Sequence, residues 1–139
     1  MKAVTFLKKL PAIIILITSV LLVDNVDAAG EEIVVRSQEV VSQFPDGIRF
    51  YVVANSADEI EDIRVFFSKV DQEGRTAYRS VNFEPGYNVK GESILPSGSG
   101  GDYYPTGSKI EYYFEVRDKA GAIVRTESQE FVYQDNRFE

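Results

Sequence analysis

Ser108-Lys-Ile-Glu-Tyr-Tyr-Phe-Glu-Val-Arg-Asp118 is the stretch whose reading decides the fold. Ile110, Tyr112, Phe114 and Val116 fall on one side of an extended chain, and Glu111, Tyr113, Glu115 and Arg117 fall on the other. A strand needs this period of two to bury one face and wet the other, whereas a helix would scatter the same four apolar residues around its circumference. Working outward, the same alternation recurs. In residues 47–54, Ile48, Phe50, Val52 and Ala54 share a face; in residues 62–70, Ile63, Val65 and Phe67 do. Residues 33–41 read as a weaker opening strand and residues 75–83 as an edge strand. Residues 122–133 close the sheet, with Phe131 and Tyr133 on one side and a break or bulge near residues 126–129. Helical periodicity is hard to find after Gly30.

Turn chemistry separates these runs. Phe44-Pro45-Asp46-Gly47 is a Pro-Asp-Gly turn, and Asp71-Gln72-Glu73-Gly74 and Asp118-Lys119-Ala120-Gly121 are two Asp-x-x-Gly connections. The final Gly of each can take the left-handed conformation that a short hairpin loop requires. Residues 55–61 read as a loop between two strands, with Ile60 as a plug for the core. Between Glu84 and Gly107 the pattern loosens, and Ser97-Gly98-Ser99-Gly100-Gly101 has the composition of a linker. About seven short strands punctuated by turns predict an all-β sandwich of the immunoglobulin or fibronectin type III kind. The absence of Trp and Cys favours the fibronectin-like variety.

The chain has 139 residues, 15 Lys+Arg against 22 Asp+Glu, and a formal charge of -7. With no His there is no Ser-His-Asp or Cys-His unit, no HExxH helix and no imidazole base. With no Cys there is no disulfide, thiolate nucleophile or thiolate metal site. The acidic balance argues against a nucleic-acid partner, which needs clustered Lys and Arg. Lys2, Lys8 and Lys9 precede fourteen mostly apolar residues, 10–23, and then a polar exit with Val26 and Ala28. Fourteen is short of the roughly 20 residues of a spanning helix, so residues 1–28 read as a helical signal peptide cleaved after Ala28 or Ala29. The alternative is an uncleaved anchor, the one route to a membrane. The signal segment carries three Lys and two Asp, so residues 29–139 form a single domain with 12 basic and 20 acidic residues, a net of -8. The expected location is secreted or extracytoplasmic, including attachment at the cell surface.

Candidate chemistry is sparse. Asp58, Glu59, Glu61 and Asp62 form an acid cluster with oxygens that Ca²⁺ could use, but they lack the EF-hand pattern; a solvated acidic loop is the simpler reading. Glu111 and Glu115, four apart on one strand, stand roughly 13 Å from each other, too far for a glycosidase pair. Tyr103 and Tyr104 beside the Gly/Ser stretch either stack on a ligand or cover the end of the core, and the second is favoured. Tyr113, on the face expected to be wet, hints at an interface. The serines have no His or Lys motif around them, and no phosphate-loop glycine pattern occurs.

Pro105, Gly107, Ile110, Tyr112, Asp118, Gly121, Phe131, Tyr133, Asp135 and Arg137 fall in a pattern of the form Pro-x-Gly-x-x-Ile-x-Tyr, Asp-x-x-Gly, Phe-x-Tyr-x-Asp-x-Arg. This resembles the end of the β-sandwich module that precedes the peptidase MA-like (gluzincin) domain in exported bacterial proteins of Chloroflexi type. Phe44–Phe50 and Ile60–Phe67 are similar too, so the resemblance covers most of the chain after the signal segment. It implies a module placed before a zinc peptidase. The zinc-binding histidines of such relatives lie in the domain that follows, and no His is present here, so no catalytic or metal residue carries over. The resemblance leaves a stand-alone module or the front part of a broken gene.

The expected function is therefore an exported, non-catalytic binding or spacer module with no cofactor. The first alternative is an accessory part of a truncated or split metallopeptidase, its partner being another protein or the adjacent peptidase domain. The second is a Ca²⁺-stabilised carbohydrate-binding sandwich.

Overall fold

A computed structural model describes residues 32–72, 74–98 and 103–135. The signal-peptide reading of residues 1–28, most of the Gly/Ser stretch and Arg137 lie outside the described residues. Seven antiparallel strands account for the fold, with no helix among the described residues: β1 (Val34–Gln43), β2 (Gly47–Lys69), β3 (Ala77–Ser80), β4 (Gly86–Pro96), β5 (Ser108–Asp118), β6 (Ile123–Arg125) and β7 (Gln129–Tyr133). The expected all-β class and strand number hold.

The two strands expected on either side of residues 55–61 are one 23-residue strand, β2. Its buried side chains are Ile48, Phe50, Val52, Ala54 and Ser56, then Ile60, then Ile63, Val65 and Phe67. The phase slips by one between Ile60 and Ile63, where the register with β5 shifts between Ile60 and Asp62. One extra residue in a strand is a bulge, and it resets which side chains face inward. The change of phase made this crossing look like a loop in the sequence. Ile60 is fully buried within it, as expected of a core plug.

The bend in β2 creates the layers. A straight strand would hold Phe50 and Phe67 about 56 Å apart, yet their ring centroids are 6.2 Å apart. The first half of β2 pairs with β1 and β4; the second half pairs with β3 and β5. β5 in turn carries β6 and β7 on its other side. The curled sheet thus closes over itself as a sandwich. Phe50 also packs on Tyr112 at 5.3 Å, and Phe44 on Tyr133 at 5.5 Å. Fully burying such a side chain contributes about 1.5–3 kcal/mol, and with no Cys in the chain no disulfide supplements this core.

The stretch after Glu84 that looked irregular contains β4, eleven residues long. Its inward positions are Val89, Gly91, Ser93 and Leu95, so apolar alternation is weak by composition. Gly91 is small for a reason: a Cβ there would collide with Val81 Cγ1 and lie 3.3 Å from the Asn82 carbonyl oxygen. Residues 75–83 hold a shorter strand than expected, β3. Residues 122–133 split into β6 and β7 where the break was expected. Gly74 and Gly121 both have positive φ, 84° and 90°, as the hairpin reading required.

Candidate functional site

The outer face of the second layer carries a row of aromatic rings. Phe66 of β2 stands opposite Tyr78 of β3 on one side and Tyr113 of β5 on the other. Because directly opposed residues on neighbouring strands share a face, the three rings line up across the sheet. Phe66 and Tyr113 are parallel, 5.0 Å apart with 5° between planes; Phe66 and Tyr78 are 5.6 Å apart and tilted by 37°. Tyr78 is 58% exposed and forms the open end of the row.

Charges on one flank are paired. Arg125 Nε donates to Glu115 Oε2 at 2.7 Å, and its guanidinium lies 6.0 Å from the Tyr113 ring centroid. The hydrogen bond to Glu115, reinforced by that residue's negative charge, holds the guanidinium above its ordinary pKa. Arg64 pairs with Asp62 at 3.0 Å and sits 5.4 Å over Tyr78. The other flank differs. A cleft of about 200 Å³ opens there, bounded by Phe66, Tyr113, Glu111, Ser68, Thr76 and Ser128. Ser128 Oγ donates to Glu111 Oε1 at 2.7 Å. Glu130 of β7 is directly opposite Glu111, so two carboxylates face the same patch of solvent. The cleft thus combines aromatic wall, hydroxyls and carboxylate acceptors.

The residues singled out in the sequence distribute unevenly. Tyr113 belongs to this row, but it is half-buried between Phe66 and Arg125, not the freely exposed ring expected of a wet face; Glu115 beside it is buried as well. β6 pairs along this part of β5 and lays the Arg125 side chain against both residues. Tyr104 is 5% exposed and joins the core, with Lys69 Nζ 4.8 Å from its ring centroid, whereas its neighbour Tyr103 is 69% exposed and offers its carbonyl to the same ammonium at 2.9 Å. The structure places the two tyrosines on opposite sides of the surface boundary; neither lines this cleft, and Tyr104 borders a neighbouring pocket that shares Ser68 and Thr76 with it.

Asp58, Glu59, Glu61 and Asp62 lie along the crossing segment of β2, not on a loop. Glu59 accepts from Lys119 at 2.9 Å, which raises the Lys119 pKa, and Asp62 is taken by Arg64. Among the described residues no three acidic side chains gather as a metal site would require. Phe66 and Tyr78 went unnoticed in the sequence. Their signal in the sequence was partial: each is an aromatic at an outward position of its strand, but the row forms only when β3, β2 and β5 pair.

No family model matches this chain, and no curated protein matches it. Among solved structures, the Br derivative of BhCBM56 is similar at a TM-score of 0.45 and 14% identity, over 68% of this chain and 88% of that chain.

Proposed function

We propose that this chain is a non-catalytic binding module, acting outside the cytoplasm, that holds a glycan against the outer face of its second layer. The observation that supports this reading is the cleft in which Phe66 and Tyr113 meet Glu111, Ser68, Thr76 and Ser128. A sugar unit presents apolar C–H groups and hydroxyls on one small body. Aromatic rings with negative faces suit the C–H groups, and a few fixed acceptors suit the hydroxyls. Glu111 has spent one lone pair on Ser128 and keeps others for a ligand.

Affinity electrophoresis of the protein in gels containing soluble polysaccharides tests this directly. Retardation by at least one neutral glycan is expected. The Glu111→Ala variant should weaken it about tenfold or more while its melting temperature stays near that of the parent, because Glu111 is an exposed residue of the cleft. Absence of retardation by every glycan tried, or equal retardation of parent and variant, would defeat the assignment.

A further inference from the structure

A second surface lies between the two layers, where their edges do not meet. Among the described residues, β1 pairs with β2 alone, and β6 pairs with β5 alone. Each therefore turns one unpaired edge outward, with N–H and C=O groups available to a further strand. Near the other end of β1 the gap is closed: Ser42 Oγ donates to the Gln134 carbonyl at 2.5 Å. Between Glu32–Gln38 and Val124–Gln129 it stays open as a groove of about 640 Å³.

The groove has the features of a strand acceptor. Val35 and Val124, half-buried against the core, form its apolar floor. Val34, also in the lining, is 39% exposed. Gln38 also borders the groove, with its Oε1 buried beneath the surface and without a hydrogen-bond partner among the described residues. The rim selects by charge. Glu32 and Glu127 border it, and its one described cation, Arg36, donates Nε to Asn55 at 2.7 Å. With the chain at -7 overall, a second copy would bring more negative charge to an acidic rim.

We propose that this groove takes an extended basic peptide as an added strand, with apolar side chains toward Val35 and Val124 and Lys or Arg toward Glu32 and Glu127. Main-chain bonds to the β1 edge would supply affinity, and the charges would supply selectivity. This site is separate from the glycan face and does not depend on it.

The test uses end-capped peptides of about six residues, enough to span the open edge. One alternates Val and Lys; a second is identical but N-methylated at alternate amides; a third has Glu in place of Lys. Binding is followed by titration and by amide hydrogen exchange. The Val/Lys peptide should bind saturably and slow exchange in residues 34–38. Methylation, which keeps the charge and removes the donors, should weaken it at least tenfold, and the Glu peptide should not bind. Glu127→Lys should weaken the Val/Lys peptide severalfold with the melting temperature unchanged. Four results would overturn the proposal: no saturation by about 1 mM, equal binding of the methylated peptide, protection confined to other strands, or a dimer that protects residues 34–38 without peptide.

Discussion

At the scale of single residues, Gly91 shows how closely the layers are fitted. It sits under Val81 and the Asn82 carbonyl with no room for a methyl group. Gly91→Ala should cost about 1–3 kcal/mol through overpacking, read as a lower urea midpoint with unchanged slope. Combining it with Val81→Ala should recover part of that loss, since the clash partner is then shortened. Tyr112 offers a second test. It is 2% exposed, and its hydroxyl donates to Gln129 Oε1 at 3.0 Å. Burial first, and the negative Glu39 second, push its phenol pKa up. The unfolded phenol ionises near 10 while the folded one keeps its proton. Stability from this group is complete below about pH 10 and is lost as pH rises through the folded value. The melting temperature should thus fall above pH 10, and less steeply in Tyr112→Phe. Identical slopes would contradict this cause. Asp118 is likewise buried, accepting from Ser56 Oγ at 3.2 Å and from the Ala122 amide at 2.9 Å, and so ties the β5–β6 turn to the crossing segment of β2.

At the scale of elements, β2 organises everything else. Its bulge lets one strand serve both layers with its apolar side always inward. Inserting one alanine after Arg64, outside the bulge, would turn Val65 and Phe67 to the wrong face, because a one-residue slip inverts a strand. Loss of the folded state is expected, seen as collapse of amide dispersion in NMR spectra. Glu61→Ala, at an exposed position, should change stability by no more than about 0.5 kcal/mol. An insertion variant that folds normally would show that the pairing of this half of β2 does not fix which side chains face inward. β5 was legible in the sequence because its inward face is made of Ile110, Tyr112, Phe114 and Val116. β4 was not, because close approach to Val81 and Asn82 demands Gly91, and Ser93 satisfies its hydroxyl on the Ser80 carbonyl at 3.1 Å. Residues chosen for fit between elements leave no periodic signature. The aromatic row was half legible for a related reason: Tyr113 stood out within its own strand, whereas Phe66 and Tyr78 gain meaning only when three strands are laid side by side.

At the scale of the whole molecule, the shared strand couples the layers. Neither can open without exposing half of β2 and the Phe50, Phe67 and Tyr112 cluster between them. Unfolding should therefore be a single transition, with tyrosine fluorescence and far-ultraviolet circular dichroism superimposing in urea. Two separated transitions would mean that the layers hold independently. What the residue order determined by itself was local: period-two alternation made the chain β-rich, Gly at the ends of the Asp-x-x-Gly runs set the hairpins, and the missing His and Cys removed whole classes of chemistry. Tertiary structure alone decided which strands became neighbours, and hence the bend of β2, the ring row across β3, β2 and β5, and the open edge between β1 and β6. The physical reason is range. Strand geometry and turn preference act over a few residues, while pairing and layer closure are set by burial summed across segments far apart in the chain.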